Sequence, residues 1–162
     1  MRVLDTAALL HWPVERCRGG IVAISQQDEL LRVDEQRSLL MESASLDWQV
    51  PTKNALQKAR EIASETGDLP RLSPVDLDVL ALAIDLNLTL VTDDYRMKNV
   101  ARKAGLPVEG VLTSGGKKQW KWILRCIGCR AEVDVPPNAK QSKKDDVQLC
   151  DRCGSPMKLK RG

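Results

Sequence analysis

Apolar residues in the first two thirds of the chain fall into two kinds of segment, short β-favouring runs and longer stretches with helical spacing. The short runs predict strands at residues 1–5, 21–24, 88–92 and 107–112. The longer stretches predict helices over residues 25–33, 34–46, 52–66, 73–87 and 94–104. Strands that alternate with helices are typical of an α/β domain with a largely parallel sheet and helices on both faces.

The segment 73–87, SPVDLDVLALAIDLN, is the most hydrophobic part of the chain. Ser73 offers a cap and Pro74 fits the first helical position, so the helix has a well-defined start. Apolar residues cover nearly every side of it, which predicts a helix packed on the sheet rather than one lying at the surface.

Charge is distributed unevenly along the chain. Residues 1–116 hold 13 Lys and Arg against 17 Asp and Glu, whereas residues 117–162 hold 12 against 5. The paired glycines of the segment TSGGKKQ separate these halves, which predicts a first domain at 1–113, a linker at 114–119 and a small second domain at 120–162. The basic second domain is typical of a module that binds a polyanion, although a solvated basic tail would have the same composition.

Four of the five cysteines lie in the basic segment as two C-x2-C pairs: Cys126, Cys129, Cys150 and Cys153. Two such pairs close a tetrahedral Zn²⁺ site, and four thiolates leave no open coordination position, so the ion would be structural. Zinc would also supply stability that so small a domain does not obtain from its own core. The alternative, a pair of disulfides, requires an oxidising compartment. Cys17 lies in a loop-like stretch, ERCRGG, and is expected to be a free thiol.

The amino-acid composition of the chain limits the classes of protein to which it can belong. Hydrophobic residues make up 43% and charged residues 29%, a mixture typical of globular domains. No apolar run reaches the ~18 residues needed to cross a bilayer, and the first residues lack the features of a signal peptide. The sequence therefore predicts a cytoplasmic protein with no membrane partner.

Acidic residues follow two of the predicted strands. Asp5 ends the first strand, and Asp93 and Asp94 follow the strand at 88–92. Because ligands of open α/β sheets bind at the carboxyl ends of the strands, these carboxylates are expected to converge at one edge. Converging carboxylates repel one another unless a cation lies among them, and Mg²⁺ or Mn²⁺ suits oxygen ligands. Such a site is suited to phosphodiester hydrolysis, in which the ion activates a water and neutralises phosphate charge.

Each candidate acid also has a purely structural interpretation. Asp94 precedes a helical pattern and would serve as its N-cap. Asp76 stands three residues after Ser73 and would complete a capping box. Glu29 occupies a first helical turn, where a negative charge is favourable in any protein. Asp78 is about 200° round the helix from Asp76, so both cannot face one ion.

Four motifs taken together resemble a known nuclease fold. The order VLDTAAL, ISQQDEL, LSPVDLDVLALA and LVTDDYRMKNVA is similar to PIN domains, over residues 1 to 112. With the continuation KWILRCIGC and LCDRCG, essentially the whole chain resembles the archaeal Nob family, endonucleases that mature the 3′ end of small-subunit rRNA. The resemblance implies a PIN-like, largely parallel sheet flanked by helices, plus a small C-terminal zinc ribbon.

The resemblance also implies a set of catalytic residues. They are Asp5, Glu29, Asp76, Asp94, Asp93 and Thr92. Asp5, Asp76 and Asp94 would also be ligands of Mg²⁺ or Mn²⁺. Asp28 and Glu35 are alternatives to Glu29, because the early helix is only loosely similar to the family.

RNA contacts are expected from the basic second domain. The candidates are Lys117, Lys118, Lys121, Arg125, Arg130, Lys143, Lys144, Lys158, Lys160, Arg161 and Trp122. The basic side chains would contact phosphates, and Trp122 or Trp120 would stack on an unpaired base. The alternative for both tryptophan rings is packing within or between the domains, and we favour it over stacking on a base. Trp12 and Trp48 are expected in the core or at the edge of the first domain.

These features predict an endoribonuclease that cleaves single-stranded precursor rRNA on the small ribosomal subunit, alongside assembly factors. Two alternatives fit many of the same residues. One is a toxin-like PIN ribonuclease paired with a protein inhibitor, against which the fused ribbon argues. The other is a non-catalytic assembly factor in which the acids cap helices and the ribbon binds rRNA or protein.

Overall fold

The first domain of the computed structural model is a parallel sheet covered by helices; the structure describes residues 1–112, 119–143 and 146–162. The strands are β1 (Arg2–Leu4), β2 (Ile21–Ala23), β3 (Asp47–Gln49), β4 (Thr89–Val91) and β5 (Val108–Glu109). The helices are α1 (Thr6–His11), α2 (Val14–Cys17), α3 (Gln26–Val33), α4 (Glu35–Met41), α5 (Lys53–Thr66), α6 (Pro74–Leu86) and α7 (Tyr95–Lys103). The strand order is β3-β2-β1-β4-β5, with every pairing parallel, so the predicted α/β architecture is confirmed.

Helices cover both faces of this sheet because successive side chains of a strand point in opposite directions. Val3 and Leu90 pack in one core cluster with α5, α6 and α7. Leu4 and Val91, their neighbours along the strands, pack in a second cluster with α1, α3 and α4. This arrangement explains why the strands are apolar at consecutive positions rather than at alternate ones.

The hydrophobic helix α6 is buried through most of its length, as its sequence predicts. Ser73 caps it and Pro74 is its first residue. It crosses the sheet from the carboxyl edge, where its first turn lies. No helix in the described ranges is long and apolar enough to cross a membrane.

Three parts of the first domain differ from the sequence prediction. The helix predicted at 34–46 is shorter, because α4 ends at Met41 and a 3₁₀ turn follows at Glu42–Ala44. Sequence patterns miss β3, whose one large apolar residue is Trp48. The sequence patterns also fail to predict α1 and α2. The prediction of a loop at Cys17 is wrong, because Cys17 is the last residue of α2 and is fully buried.

The second domain is a four-stranded antiparallel sheet. Its strands are β6 (Trp122–Cys126), β7 (Glu132–Asp134), β8 (Gln148–Leu149) and β9 (Pro156–Arg161), in the order β7-β6-β9-β8. Leu124, Met157 and Leu159 are buried in the same core cluster as the residues of α5 and α6. Of the predicted linker, 114–119, only Gln119 is among the described residues.

Contacts between the domains are close. Gly67 ends α5 with a φ of +81°, and a Cβ at this position would overlap the Trp122 backbone carbonyl. Glycine is therefore needed both for the left-handed conformation and for the approach of the second domain. The loop after β7 adds a backbone hydrogen bond of 2.7 Å, from the Ser142 N–H to the Pro70 carbonyl.

Candidate active site and zinc site

Asp5 lies directly after β1, at the carboxyl edge of the sheet, and is 9% exposed. Its Oδ1 accepts a hydrogen bond from the Thr6 backbone N–H at 2.8 Å and so caps α1. Its Oδ2 accepts another from the Thr92 hydroxyl at 2.6 Å. Burial raises the pKa of Asp5 to about 7, and the negative charges of Asp76 and Asp94 contribute to the rise.

Thr92 links the ends of two neighbouring strands. It follows β4 and is fully buried, and its hydroxyl donates to Asp5 while accepting a hydrogen bond of 3.0 Å from the Asp94 backbone N–H. Because Leu4 of β1 pairs with Val91 of β4, the residues after each strand lie side by side. A single hydroxyl group therefore joins Asp5 to the turn that carries Asp94.

Asp94 and Asp76 both cap helices, as their positions in the sequence suggest. Asp94 Oδ1 accepts a hydrogen bond of 2.8 Å from the Arg96 N–H at the start of α7. Asp76 Oδ2 accepts one of 2.9 Å from the Ser73 N–H, and Ser73 Oγ accepts one of 3.1 Å from the Asp76 N–H. Each of these bonds engages one oxygen of a two-oxygen group, so capping and ion binding are compatible.

Electrostatic repulsion identifies which acids are neighbours. Burial raises the pKa of Asp76, and the charges of Asp94 and Glu29 raise it further. Glu29 lies in the first turn of α3 and is half-buried, whereas the adjacent Asp28 is exposed in a groove that Trp48 also lines. Glu29, rather than Asp28, therefore lies near the other acids.

Two further acids of this region bind protein groups. Asp93 accepts hydrogen bonds from the Val111 and Leu112 backbone N–H groups, at 2.7 and 2.9 Å, and ties the turn after β4 to the segment after β5. Asp78 accepts a hydrogen bond of 2.7 Å from the Ser25 hydroxyl and joins α6 to the start of α3. This geometry favours a supporting role for Asp93 over the catalytic role that the family resemblance implies.

Gln26 organises the same edge of the sheet, although sequence patterns do not reveal it. It is fully buried; its Oε1 accepts from the Ala23 N–H at 2.7 Å, and its Nε2 donates to the Leu4 carbonyl at 3.0 Å and to the Thr6 hydroxyl at 3.3 Å. These bonds join the ends of β1 and β2 beside Asp5. Nothing in the string SQQD distinguishes this buried amide from the exposed glutamine that follows it.

The acidic cluster suits a divalent cation. Asp5, Glu29, Asp76 and Asp94 come from four separate segments, and burial together with mutual repulsion raises the pKa of both Asp5 and Asp76. An oxygen-preferring ion among these carboxylates would relieve the repulsion and compensate for their burial. Carboxylate oxygens are the ligands that Mg²⁺ and Mn²⁺ prefer. Among the described residues, however, only the four cysteines already lie close enough together to hold an ion.

The four cysteines of the second domain form a compact sulfur cluster. The Sγ atoms of Cys126, Cys129, Cys150 and Cys153 lie within 4.8 Å of one another. Cys126 and Cys153 are separated by 3.3 Å, and Cys129 and Cys150 by 3.6 Å. A tetrahedral Zn²⁺ with Zn–S bonds of about 2.3 Å places its sulfurs roughly 3.8 Å apart, so the cluster fits this ion.

Backbone geometry supports thiolates in both cysteine pairs. The Gly128 N–H donates to Cys126 Sγ at 3.3 Å, and the Arg152 N–H donates to Cys150 Sγ at 3.4 Å. A Cβ at Gly128 would lie 2.6 Å from Ser155 Oγ and 3.2 Å from Cys153 Sγ, so glycine allows the close approach of the second cysteine pair. Such hydrogen bonds stabilise the negative charge that zinc ligands carry.

The predicted RNA-binding cations occupy different environments. Lys117, Lys118 and Lys144 lie outside the described residues. Lys121 and Arg125 form ion pairs of 3.3 and 2.7 Å with carboxylates of β7. Arg130 is exposed and adopts a left-handed conformation, with a φ of 62°. To bind RNA, Lys121 and Arg125 would each have to release the carboxylate of their ion pair and contact a phosphate instead.

Trp122 packs between the domains, which matches the alternative favoured for the ring. It is half-buried against the shared core cluster, and its backbone approaches Gly67. Trp12 is buried in the core of the first domain, and Trp48 lies on the edge strand β3, as expected.

Comparison with known proteins identifies the family. Residues 3–86 match the family described as the PIN domain of ribonuclease. The endoribonuclease Nob1 of Pyrococcus abyssi is 39% identical over 131 residues, which cover 78% of this chain and 75% of that protein. The chain belongs to the Nob1 family of PIN-domain endoribonucleases.

Other relatives include both Nob1 proteins and VapC ribonucleases. The Nob1 of Methanocaldococcus jannaschii is 32% identical over 170 residues, which cover 99% of this chain and 77% of that protein. The ribonuclease VapC1 of Thermoplasma acidophilum is 40% identical over 111 residues, which cover 67% of this chain and 50% of that protein. The match to Nob1 thus includes the cysteine cluster. The predictions of an endoribonuclease and of a PIN domain with a four-cysteine ribbon are confirmed.

Proposed function

We propose that this protein is a divalent-metal-dependent endoribonuclease that hydrolyses a phosphodiester bond in single-stranded precursor rRNA during maturation of the small ribosomal subunit. The observation that best supports the proposal is that, beyond the effect of burial, Asp76 and Asp94 raise the pKa of Asp5, and Asp94 and Glu29 that of Asp76, in a chain of the PIN family. The fused basic domain and membership of the Nob1 family support the choice of rRNA as substrate.

The acidic residues have distinct roles in this proposal. Asp5, Asp76 and Asp94 bind Mg²⁺ or Mn²⁺, and Glu29 adds a fourth carboxylate beside them. When bound, the ion supplies a water of lowered pKa and neutralises charge on the phosphate. Thr92 orients Asp5 through its 2.6 Å hydrogen bond, and helix capping fixes Asp76 and Asp94.

The second domain has a binding role. Its four cysteines hold Zn²⁺ as a structural ion, since four thiolates complete the tetrahedron. A rim of carboxylates repels a polyanion, so a separate basic surface is needed to retain the RNA. The proposed partners are precursor small-subunit rRNA, the small ribosomal subunit and its assembly factors, in the cytoplasm.

A cleavage assay tests this function. The full chain is incubated with Mn²⁺ and a short single-stranded RNA that spans the 3′ end of small-subunit rRNA. We expect site-specific cleavage that falls by roughly 100-fold or more in Asp94→Asn. Asparagine can still cap α7, so the thermal melting temperature should change little.

A matched control is Asp85→Asn, which removes an exposed carboxylate from the far end of α6 and should cleave normally. RNA binding without any cleavage by the unmodified chain would point to the non-catalytic assembly factor. Equally rapid cleavage of unrelated RNAs would favour a toxin-like specificity, which the similarity to VapC1 makes the second candidate.

A further inference from the structure

Two arginines from different domains lie near the same tryptophan ring. Arg96 lies in the first turn of α7, and Arg161 is the last residue of β9. Their guanidinium carbons lie 5.6 and 5.8 Å from the centroid of the Trp122 ring. Arg161 also lies 3.6 Å from the centroid of Trp120. These cation–π contacts hold both guanidinium groups at the seam between the domains.

This arginine pair borders the acidic site. The backbone N–H of Arg96 donates to the Asp94 carboxylate, so the two residues share the first turn of α7. Burial raises the pKa of Asp68 to about 6, and Arg96 lowers it while Asp94 raises it, which places all three residues in one neighbourhood. The charges of Arg96 and Asp94 therefore act on the same carboxyl group, that of Asp68.

A third guanidinium group lies close by. Burial lowers the pKa of Arg71, and the positive charge of Arg96 lowers it further, so the two side chains are neighbours. Arg71 Nη1 also donates to the Lys143 carbonyl at 2.9 Å, which connects it to the loop of the second domain. Like charges gathered in this way repel one another, and a polyanion would relieve the repulsion.

We infer that Arg96 and Arg161 form a phosphate-binding subsite for single-stranded RNA, at the point where the strand passes from the second domain to the acidic site. This inference rests on the proposed ribonuclease function. Guanidinium groups present pairs of donors that match phosphate oxygens. Trp120 and Trp122 position the arginines, which agrees with the packing role favoured for both rings over stacking on a base.

The subsite explains how an acidic site accepts a polyanion. Arg161 is exposed and Arg96 is half-buried, so both side chains can be reached from solvent. One phosphate held at the seam places the following phosphates of the strand toward Asp94, because Arg96 stands only two residues away. The two domains would then act on one strand, each supplying one arginine.

A binding assay tests the subsite without cleavage. Affinity for a fluorescent single-stranded RNA spanning the rRNA 3′ end is measured across a series of salt concentrations, with the full chain carrying Asp94→Asn. Arg96→Gln and Arg161→Gln should each weaken binding by roughly 5- to 30-fold. Each should also reduce the slope of log affinity against log salt by about 0.7, the value for one phosphate contact on a single strand.

The matched control is Arg18→Gln, an exposed arginine just before β2, at the amino edge of the sheet. Arg96→Lys keeps the charge and loses the paired donors, so it should restore the salt slope but only part of the affinity. The inference is overturned if both glutamine variants bind with the affinity and slope of the control. Zinc content and melting temperature confirm that each variant is folded.

A kinetic measurement separates this inference from the proposed function. With Asp94 intact and Mn²⁺ present, Arg161→Gln should raise KM for the RNA at least fivefold and change kcat by less than threefold. If the unmodified chain does not cleave, the proposed function fails while the binding assay still reports on the subsite. If cleavage occurs and KM is unchanged, the subsite fails alone.

Discussion

The acidic site and the cysteine site are built in opposite ways. The cysteine site takes its ligands from two short pairs, in a domain of four short strands with a small core. The acidic site takes its carboxylates from β1, α3, α6 and the turn after β4, on a sheet covered by helices on both faces. The difference teaches that, under the proposed function, zinc would be part of the fold of one domain, whereas a divalent cation would be added to acidic residues that the other domain holds in place without it.

The largest expected effect is the loss of the zinc site. Cys126→Ser removes one of four ligands, and we expect it to unfold the second domain, because binding of a structural zinc supplies on the order of 10 kcal/mol. The first domain should stay folded, since its own residues supply most of the larger core cluster and all of the smaller one. Limited proteolysis and zinc quantification should show a protected fragment close to residues 1–112 and less than one zinc per chain.

Cys17→Ser is the matched control for this experiment. Cys17 is buried in the first domain, where its Sγ donates to the Ala8 carbonyl at 3.6 Å, so its replacement should leave the zinc content at one per chain. Resistance of the second domain to proteolysis after loss of zinc would contradict this contrast between the sites. Neither domain would then need its metal ion in order to fold.

Removing a ligand of the acidic site should have the opposite effect on stability. Asp5→Asn keeps an oxygen that accepts from Thr92 and removes a buried negative charge beside Asp76 and Asp94. We expect cleavage to fall by roughly 100-fold or more. Without divalent ions at pH 8, the free energy of unfolding should rise by about 1–2 kcal/mol.

Urea unfolding measures this change, and it is repeated with Mn²⁺. The unmodified chain should be stabilised by Mn²⁺, whereas Asp5→Asn should respond weakly. If the variant is less stable than the unmodified chain at pH 8, the hydrogen bonds of Asp5 stabilise the fold by more than its charge repulsion destabilises it. The two sites would then not differ in their effect on stability.

The pH dependence of stability sharpens the same contrast. The pKa of Asp5 is about 7 in the folded protein and about 4 when unfolded, so the folded state binds the extra proton between these values. Its contribution to stability without divalent ions is therefore present below pH 4 and is lost as the pH rises to about 7. Mn²⁺ competes with this proton, so stabilisation by Mn²⁺ should grow by about 1.4 kcal/mol per pH unit up to 7 and then level off. Melting curves between pH 5.5 and 8 check this, and a pH-independent Mn²⁺ effect would contradict it.

The two regions also differ in how far sequence patterns predict them. The cysteine site is predictable because its ligands recur three residues apart, a spacing set by the ion itself. Asp5 and Asp94 are predictable because parallel strands share a carboxyl edge. Gln26 and Asn99 are not, since each forms its hydrogen bonds with residues from other elements, and no periodicity records such partners. The short strand β3 is not predicted either, because three residues are too few to show a periodic pattern of apolar positions.

The smallest expected effect concerns the interface between the first and second domains. Asn99 of α7 is buried, and its Nδ2 donates to Asp68 Oδ2 at 2.6 Å and to the Trp120 carbonyl at 2.9 Å. Its Oδ1 accepts from the Trp120 N–H at 2.8 Å and from Gln119 Nε2 at 2.7 Å. Three of these four hydrogen bonds bind the first domain to residues 119 and 120, and the fourth holds the amide to Asp68 within the first domain.

Asn99→Ala should lower the free energy of unfolding of the second domain by about 1–2 kcal/mol, because it leaves a buried carboxylate oxygen and a backbone carbonyl without this donor. Tryptophan fluorescence during urea unfolding measures the change, since Trp120 and Trp122 lie at the seam. Gln119→Ala is the control, as it removes one exposed partner and should cost less. Equal effects of the two variants would mean that apolar packing against Gly67, rather than the asparagine, joins the domains, and the two sites would then be coupled only through the hydrophobic core.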